Sequence, residues 1–290
     1  MRDIKFFVDS CNPADTQQGI KILGTVSGQT TNPTLLTKTP EIQRYLSQGK
    51  RMKSIELLAL YKEAIHSIDL YIDGAISVEV YADWSTSAKE MLTQAHTMQE
   101  WGKNIYVKFP TIPEGLQAAW EFTQNGGRAN MTLVFDQSQA AAVYSATSRT
   151  QGTAFVSPFV GRWDDRGFYG LDLVQNMRKM YDEFDATTNT PSCHVEILAA
   201  SIRSLDQVHG SIANGADIIT APISVLQAWV DAGSNKSPLM PPKPAGLRHL
   251  EYQKLTYTED FNAYSIDKSD DGLLSQGLTK FVKDWQSVVE

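Results

Sequence analysis

Lys108 stands inside what would otherwise be an ordinary buried strand, Asn104-Ile105-Tyr106-Val107-Lys108-Phe109-Pro110. A lysine is almost never fully buried without a partner, and two readings fit this one. In the first it is half of a buried ion pair with Glu79 or Asp9, or it snorkels its ammonium to water. In the second it is a nucleophile. An ammonium stripped of water gives up its proton more readily, which frees the amine to attack a ketone. The protonated imine that results withdraws electrons, so a neighbouring C–C bond can break to leave an enamine, and no metal is needed. The five histidines, His66, His96, His194, His209 and His249, show no metal-ligand spacing. Neither a metal nor a cofactor is expected.

Such chemistry needs helpers. A base must take the proton from the hydroxyl whose carbon becomes an aldehyde; a carboxylate suits this, and Asp9 is the candidate. Imine formation and hydrolysis need a proton shuttle, and Glu79 with Thr132 could hold a water for it. Asn32, with Thr31 beside it, and Asn130 suit the remaining hydroxyls. An anion site is suggested by two arginines, each close to a serine: Ser157 with Arg162, and Ser201 with Arg203. Arginine offers paired, planar hydrogen bonds to phosphate and similar oxyanions. Each residue also has a plainer reading. Asp9 would cap a helix, Asn32 before Pro33 would make a turn, Arg162 would pair with Asp164 or Asp165, and Arg203 with Asp206. Their joint placement is what argues for chemistry.

That placement depends on the elements. Eight short apolar, β-rich runs recur: 4–9, 24–30, 71–80, 105–110, 128–135, 153–160, 194–201 and 216–222. Between them the spacing predicts helices at about 14–22, 34–67 (two helices), 85–101, 114–125, 137–150, 170–184, 205–214 and 223–232. Strands alternating with helices imply parallel pairing with both sheet faces covered. Eight such units predict an α/β fold of the (β/α)8 TIM-barrel type over 1–232, with an open doubly wound sheet as the rival. A loop-rich insertion is expected at 233–271. Leu274, Leu278, Phe281, Trp285 and Val288 then predict an amphipathic C-terminal helix over about 272–289, packed on the barrel.

In a barrel the reactive end is the C-terminal end of the strands, and the candidates cluster there. Side chains alternate along a strand, so Ser77 shares a face with Glu79, Tyr106 with Lys108, Asn130 with Thr132, and Ala199 with Ser201. These are expected inside, with Val78, Val80, Val107, Phe109, Met131 and Leu133 facing the helices.

The bulk properties narrow the class. The chain has 290 residues, 42% of them hydrophobic, and a net charge of −7. An acidic balance argues against nucleic acid as the main partner. Cys11 and Cys193 are too few for a disulfide framework, so a reducing cytoplasm is expected. Met1-Arg2-Asp3-Ile4-Lys5 has no long apolar run behind it and is not expected to be a signal peptide. No stretch of 18 apolar residues exists to span a membrane. A homo-oligomer is compatible with the sequence.

These residues resemble the transaldolase family. Gly-Gln-Thr-Thr-Asn-Pro-Thr-Leu-Leu (28–36) is similar to its signature after the second strand, and Val-Lys-Phe-Pro (107–110) to the segment carrying its Schiff-base lysine. Asn-Met-Thr-Leu-Val-Phe (130–135), with Gln139-Ala140 after it, resembles its fifth strand. Ser-Pro-Phe-Val-Gly-Arg-Trp-Asp-Asp (157–165) and Ala-Ala-Ser-Ile-Arg (199–203) resemble its phosphate-binding segments. Gly277-Leu278 and Phe281 with Asp284-Trp285 resemble its C-terminal helix. The resemblance implies that Lys108 forms an imine with a ketose, that Asp9 is the acid/base for C–C cleavage, and that Glu79 and Thr132 position a water. It implies that Asn32 and Asn130 bind donor hydroxyls and that Ser157, Arg162, Ser201 and Arg203 bind a phosphate. The implied reaction, of the pentose phosphate pathway, moves a dihydroxyacetone unit from fructose 6-phosphate to erythrose 4-phosphate, giving sedoheptulose 7-phosphate. Fructose-6-phosphate aldolases, which release free dihydroxyacetone, are close relatives and typically carry glutamine where Glu79 stands; glutamate leans towards transfer. Three readings therefore compete with that reaction: such an aldolase, an enzyme for another anionic sugar such as a sulfonate, and a silent barrel that binds sugar phosphates or a protein. Asp136 and Gln137, which follow the fifth strand where the family has a small Ser or Cys close by, and Trp163, which replaces a smaller aliphatic residue, depart from the pattern and are expected to reshape the acceptor pocket.

Overall fold

The computed structural model describes residues 3–148, 150, 153–189 and 193–290. Eight parallel strands close into a barrel in chain order: β1 (Lys5–Asp9), β2 (Gly28–Thr30), β3 (Ala75–Glu79), β4 (Ile105–Pro110), β5 (Ala129–Val134), β6 (Ala154–Pro158), β7 (Val195–Ala199) and β8 (Ile218–Ala221). β8 pairs with β1, so no edge is left open. The helices around it are α1 (Pro13–Leu23), α2 (Pro33–Thr37), α3 (Pro40–Ser47), α4 (Ser54–Asp69), α5 (Ala88–Met98), α6 (Pro113–Gln124), α7 (Gln137–Ala146), α8 (Val160–Asp164), α9 (Leu171–Thr188), α10 (Leu205–Ala213), α11 (Ile223–Asp231) and α12 (Leu273–Gln286). This is the expected (β/α)8 barrel. Among the described residues no helix is long and apolar enough to cross a membrane.

The boundaries follow local chemistry. Proline opens α1, α2, α3 and α6, where its missing N–H costs nothing. The stretch 34–67 holds three helices rather than two. Thr39 is held extended before Pro40, which ends α2 and starts α3, and the chain turns again at Gly49. The second strand is shorter than 24–30, because Gly24 at φ 77° terminates α1 and only Gly28–Thr30 pair. Helix α8 lies inside a predicted strand–loop boundary, and α7 ends at Ala146 rather than at 150. Met1, Arg2 and Arg149, which the predicted start and that helix include, lie outside the described residues.

The barrel interior has two zones. Its lower half is an apolar plug of Phe7, Ala75, Phe155, Leu198 and Ile218, with Tyr106 stacked on Phe155 at 3.9 Å. Below the plug the Lys5–Glu196 ion pair (2.7 Å) closes the lower end, and the buried polar side chains that could do chemistry lie in the upper half. The alternation holds on β3, β4 and β5, where Val78, Val80, Val107, Phe109, Met131 and Leu133 join the outer core. On β7 it fails. Leu198 and Ala200 point inward and Ala199 outward, opposite to expectation. Ser201 still reaches the cavity, because its left-handed backbone (φ 56°) breaks the pleat.

The C-terminal helix covers the end of the barrel where the strands finish. Gly277 lets α12 settle on β5, since a Cβ there would sit 2.8 Å from Leu133 Cδ2. Thr34 on α2 donates its hydroxyl to Asp284 on α12, which ties the helix over the barrel mouth. Between α11 and α12 the only helical turn is the 3₁₀ turn Phe261–Ala263. Gln137 holds this segment through a paired contact with the Gln253 backbone (2.9 and 2.6 Å).

Candidate active site

Lys108 and Glu79 sit at register partners on β4 and β3. Their side chains are 5% and 3% exposed, with Nζ 2.8 Å from Oε2. Nζ also donates to the Thr31 carbonyl at 3.0 Å. The contact is a buried ion pair, in which Lys108 acts on the Glu79 carboxyl both by its charge and as a side-chain hydrogen-bond donor. Burial pushes the Glu79 carboxyl above its ordinary range and nearby Asp9 adds to this, while Lys108 opposes the rise. Behind the pair Tyr61 of α4, fully buried, accepts the Glu79 N–H at 3.0 Å. Its hydroxyl lies 2.5 Å from that of Thr31, which itself donates to the Ser77 carbonyl. With its own proton so committed, Thr31 must accept from Tyr61. The Thr31 side chain therefore faces α4, and the residue reaches the lysine only through its backbone.

Asp9 closes β1 on the far side of Glu79. Thr30, its register partner on β2, donates to Asp9 Oδ1 at 2.8 Å, and Thr30 lies 2.6 Å from the Thr220 hydroxyl of β8. Desolvation raises the Asp9 carboxyl from its usual range, against the lowering effects of Thr30, Lys108 and Lys38. Asp9 does not cap a helix; Asn12 caps α1 through its side-chain oxygen. Asn32 does cap α2, accepting from the Leu35 N–H at 2.9 Å, and also borders the cavity.

On the other side of the lysine, Asn130 donates to Ser77 (3.0 Å) and accepts from Ser157 (2.7 Å). This buried amide fixes the direction of the Ser157 hydroxyl. Thr132 Oγ1 is buried on the cavity wall with no hydrogen-bond partner among the described residues. An unpaired buried hydroxyl costs about 1–3 kcal/mol, which makes it a place where a further polar group would be welcome.

The cavity above these residues has a volume of about 220 Å³ and brings together Asp9, Asn32, Lys108, Thr132, Ser157, Arg162, Ser201 and Arg203. Thr31, Glu79 and Asn130 lie beneath or behind its walls. The upper wall is cationic. Arg203 pairs with Asp165 through both guanidinium nitrogens (2.6 and 2.9 Å), not with Asp206, and about half of each side chain is exposed. Arg162 makes no ion pair among the described residues. Gly161 between them is a close-approach position: a Cβ would lie 2.5 Å from the Ser201 carbonyl and 2.6 Å from Arg203 Nε. Gln207 braces the same loop, accepting the Arg203 N–H (2.6 Å) and donating to Asp164 (2.6 Å).

Sequence reasoning missed Lys38, Lys280, Phe159, Phe281 and Thr220, which also line the cavity. Thr220 was within reach, since it lies near the end of the eighth strand, two residues after inward-facing Ile218. The lysines were not, because they face the cavity only once α2 and α12 are docked. Asp136 and Trp163 do not line this cavity. They border an adjoining one of about 370 Å³, where the Trp163 indole donates to the Phe135 carbonyl at 2.7 Å. Among the described residues, no three His, Cys, Asp or Glu side chains are grouped so as to hold a metal.

With this geometry in hand, the chain matches the family model described as transaldolase/fructose-6-phosphate aldolase over residues 6–290. It is 36% identical over 228 residues to a probable transaldolase of Ruegeria sp., covering 79% of this chain and 89% of that one. The corresponding protein of Brucella ovis is 34% identical over 227 residues, covering 78% and 89%. That of Lactiplantibacillus plantarum is 35% identical over 223 residues, covering 77% and 87%, and both are also described as probable transaldolases.

Proposed function

The chain belongs to the transaldolase/fructose-6-phosphate aldolase family, and on that premise we propose that it is a transaldolase working through a Schiff base on Lys108, without a metal or cofactor. The observation that carries the reading is a buried amine 2.8 Å from a carboxylate at the floor of a cavity whose upper wall is cationic.

The Lys108 amine attacks the ketone carbon of the donor. The carbinolamine loses water to give a protonated imine, with Glu79 and Thr132 holding the water that ferries protons. The orphaned Thr132 hydroxyl supplies a free position for such a water. Asp9 takes the proton of the hydroxyl on the carbon beyond the breaking bond. That carbon leaves as an aldehyde and the electron pair passes into the imine, forming an enamine. The enamine attacks the aldehyde of the acceptor, Asp9 returns its proton, and hydrolysis frees the lysine. Asn32 and Asn130 bind donor hydroxyls; for Asn130 this means exchanging its bond to Ser77 or Ser157. Ser157, Arg162, Ser201 and Arg203 hold the phosphate of fructose 6-phosphate or erythrose 4-phosphate. Retro-aldol release of free dihydroxyacetone is the second outcome of the same chemistry, and Glu79 in place of glutamine supports transfer. The arginine and serine set would serve a sulfonate as well as a phosphate.

Borohydride added with fructose 6-phosphate should leave a reduced three-carbon adduct on Lys108, read by peptide mass spectrometry. No adduct, or one on another lysine, rejects the assignment. Product analysis with and without erythrose 4-phosphate separates transfer from release.

A further inference from the structure

The two strands that flank β1 each carry a threonine into the polar zone: Thr30 on β2 and Thr220 on β8. Their hydroxyls meet 2.6 Å apart, bridging the inside of β1 between Phe7, the register partner of Thr220, and Asp9, the register partner of Thr30. Apolar β-branched residues are the usual filling of a barrel interior, so paired hydroxyls ask for an explanation. The donor inventory gives the pair a direction. Each hydroxyl has one proton. That of Thr30 goes to Asp9 Oδ1 at 2.8 Å, and an ionised carboxylate can only accept. In the 2.6 Å contact the donor is therefore Thr220. The chain runs from the cavity wall, where Thr220 lies, through Thr30 and into one chosen oxygen of Asp9. The other oxygen, Oδ2, makes no hydrogen bond with any described residue.

We propose that Thr220 is a positioning residue for the acid–base step: through Thr30 it holds Oδ1, reserves Oδ2 for the substrate, and sets how tightly Asp9 binds a proton. This rests on the role proposed above for Asp9. A donor to the Thr30 oxygen polarises the Thr30 O–H bond and strengthens its bond to the carboxylate, which favours the ionised form. The lowering effect of Thr30 on the Asp9 carboxyl agrees in sign. The other charged groups that act on Asp9 are Lys108 of β4, Lys38 just after α2 and Glu79 of β3, and none is altered by a change at Thr220.

The test uses the whole enzyme with Thr220→Val, which keeps the β-branched shape and removes the hydroxyl, and Thr220→Ser, which keeps the hydroxyl. Carboxyl-labelled aspartate NMR, with Asp9→Asn to assign the signal, follows the titration of Asp9. In Thr220→Val it should move up by roughly half a unit to one unit, and the acid limb of kcat/KM should move with it. kcat should fall about tenfold while borohydride trapping on Lys108 persists. Thr220→Ser should titrate like the parent. A valine variant that titrates with the parent overturns the proposal, and so does a serine variant shifted as far as valine. If valine does not fold, Thr220→Ala makes the same comparison. The NMR titration is independent of turnover, so a parent enzyme that traps no ketose defeats the Schiff-base reading alone.

Discussion

Replacing Lys108 by methionine should destabilise the protein in a pH-dependent way set by Glu79. The pair is 2.8 Å apart and about 95% buried on both sides. At an effective dielectric of about 20, two unit charges at that distance attract by about 6 kcal/mol. Relaxation reduces this, and stranding one partner of a buried pair costs about 3–5 kcal/mol. The pH dependence follows from Glu79. Burial already holds its carboxyl high and Lys108 is the strongest influence pulling it back, so methionine raises it further. A carboxyl raised in the folded state stabilises fully below its unfolded value, about 4.3, and that contribution is lost as pH rises through the folded value. The deficit of Lys108→Met against the parent should therefore be small near about pH 4.5 and reach about 3–5 kcal/mol by about pH 8. Urea unfolding followed by circular dichroism at both pH values measures it. Lys108→Met combined with Glu79→Gln removes both charges and should recover most of the loss at the higher pH. A deficit that does not change with pH, or a double variant as unstable as the single one, would refute the ion-pair reasoning.

Three further outcomes are expected. Gly161→Ala forces a Cβ to within 2.5 Å of the Ser201 carbonyl and should cost about 1–3 kcal/mol by overpacking; thermal melting and KM for a phosphorylated ketose should both worsen, and an unchanged KM would detach this loop from substrate binding. Arg203→Ala should weaken a phosphorylated ketose by about 1.5–3 kcal/mol, the worth of a charge-assisted hydrogen bond, with equal loss for an unphosphorylated analogue counting against the anion site. The acid limb of kcat/KM should lie above the ordinary aspartate range of about 3.9, because burial raises Asp9 and activity is lost when pH falls through that raised value; Asp9→Asn should abolish the limb together with turnover.

The barrel and the floor of the site were legible because both rest on short-range rules. Strand alternation puts Glu79, Lys108, Asn130 and Thr132 inside, and parallel pairing puts them side by side, as the register of β3, β4 and β5 bears out. What was illegible depended on backbone exceptions and on docking. Ser201 reaches the cavity from the wrong phase of β7 because one left-handed residue breaks the two-residue period. The Thr31 hydroxyl is claimed by Tyr61, a residue 30 positions away on a helix. Arg203 chooses Asp165 over the nearer-in-sequence Asp206 because α8 and the end of β7 are pinned together by the Gly161 N–H and the Ser201 carbonyl at 3.1 Å. Lys280 faces the cavity only because α12 closes over α2 through Asp284.

On the proposed function, the charges at the mouth explain how an acidic protein would favour an anion. The chain carries −7 overall, yet the cavity is lined by Lys38, Lys108, Arg162, Arg203 and Lys280. Three of these are matched in place: Lys108 by Glu79, Arg203 by Asp165 and Lys280 by Asp284. Arg162 and Lys38 remain against Asp9, so the cavity holds one positive charge in excess. The matched pairs differ in what they hold back. The Lys108 pair is buried and costly to break. The Arg203 pair is bidentate but about half exposed, so solvent screens it and it opens at far less cost than the buried pair. Asp165 can therefore hold the guanidinium in place against the Gly161 loop and still yield it to a phosphate, whose charge-assisted bond is worth about 1.5–3 kcal/mol. On the proposed function a neutral sugar would offer nothing to offset the loss of Asp165, so the same pair that keeps Arg203 oriented would also select for charge.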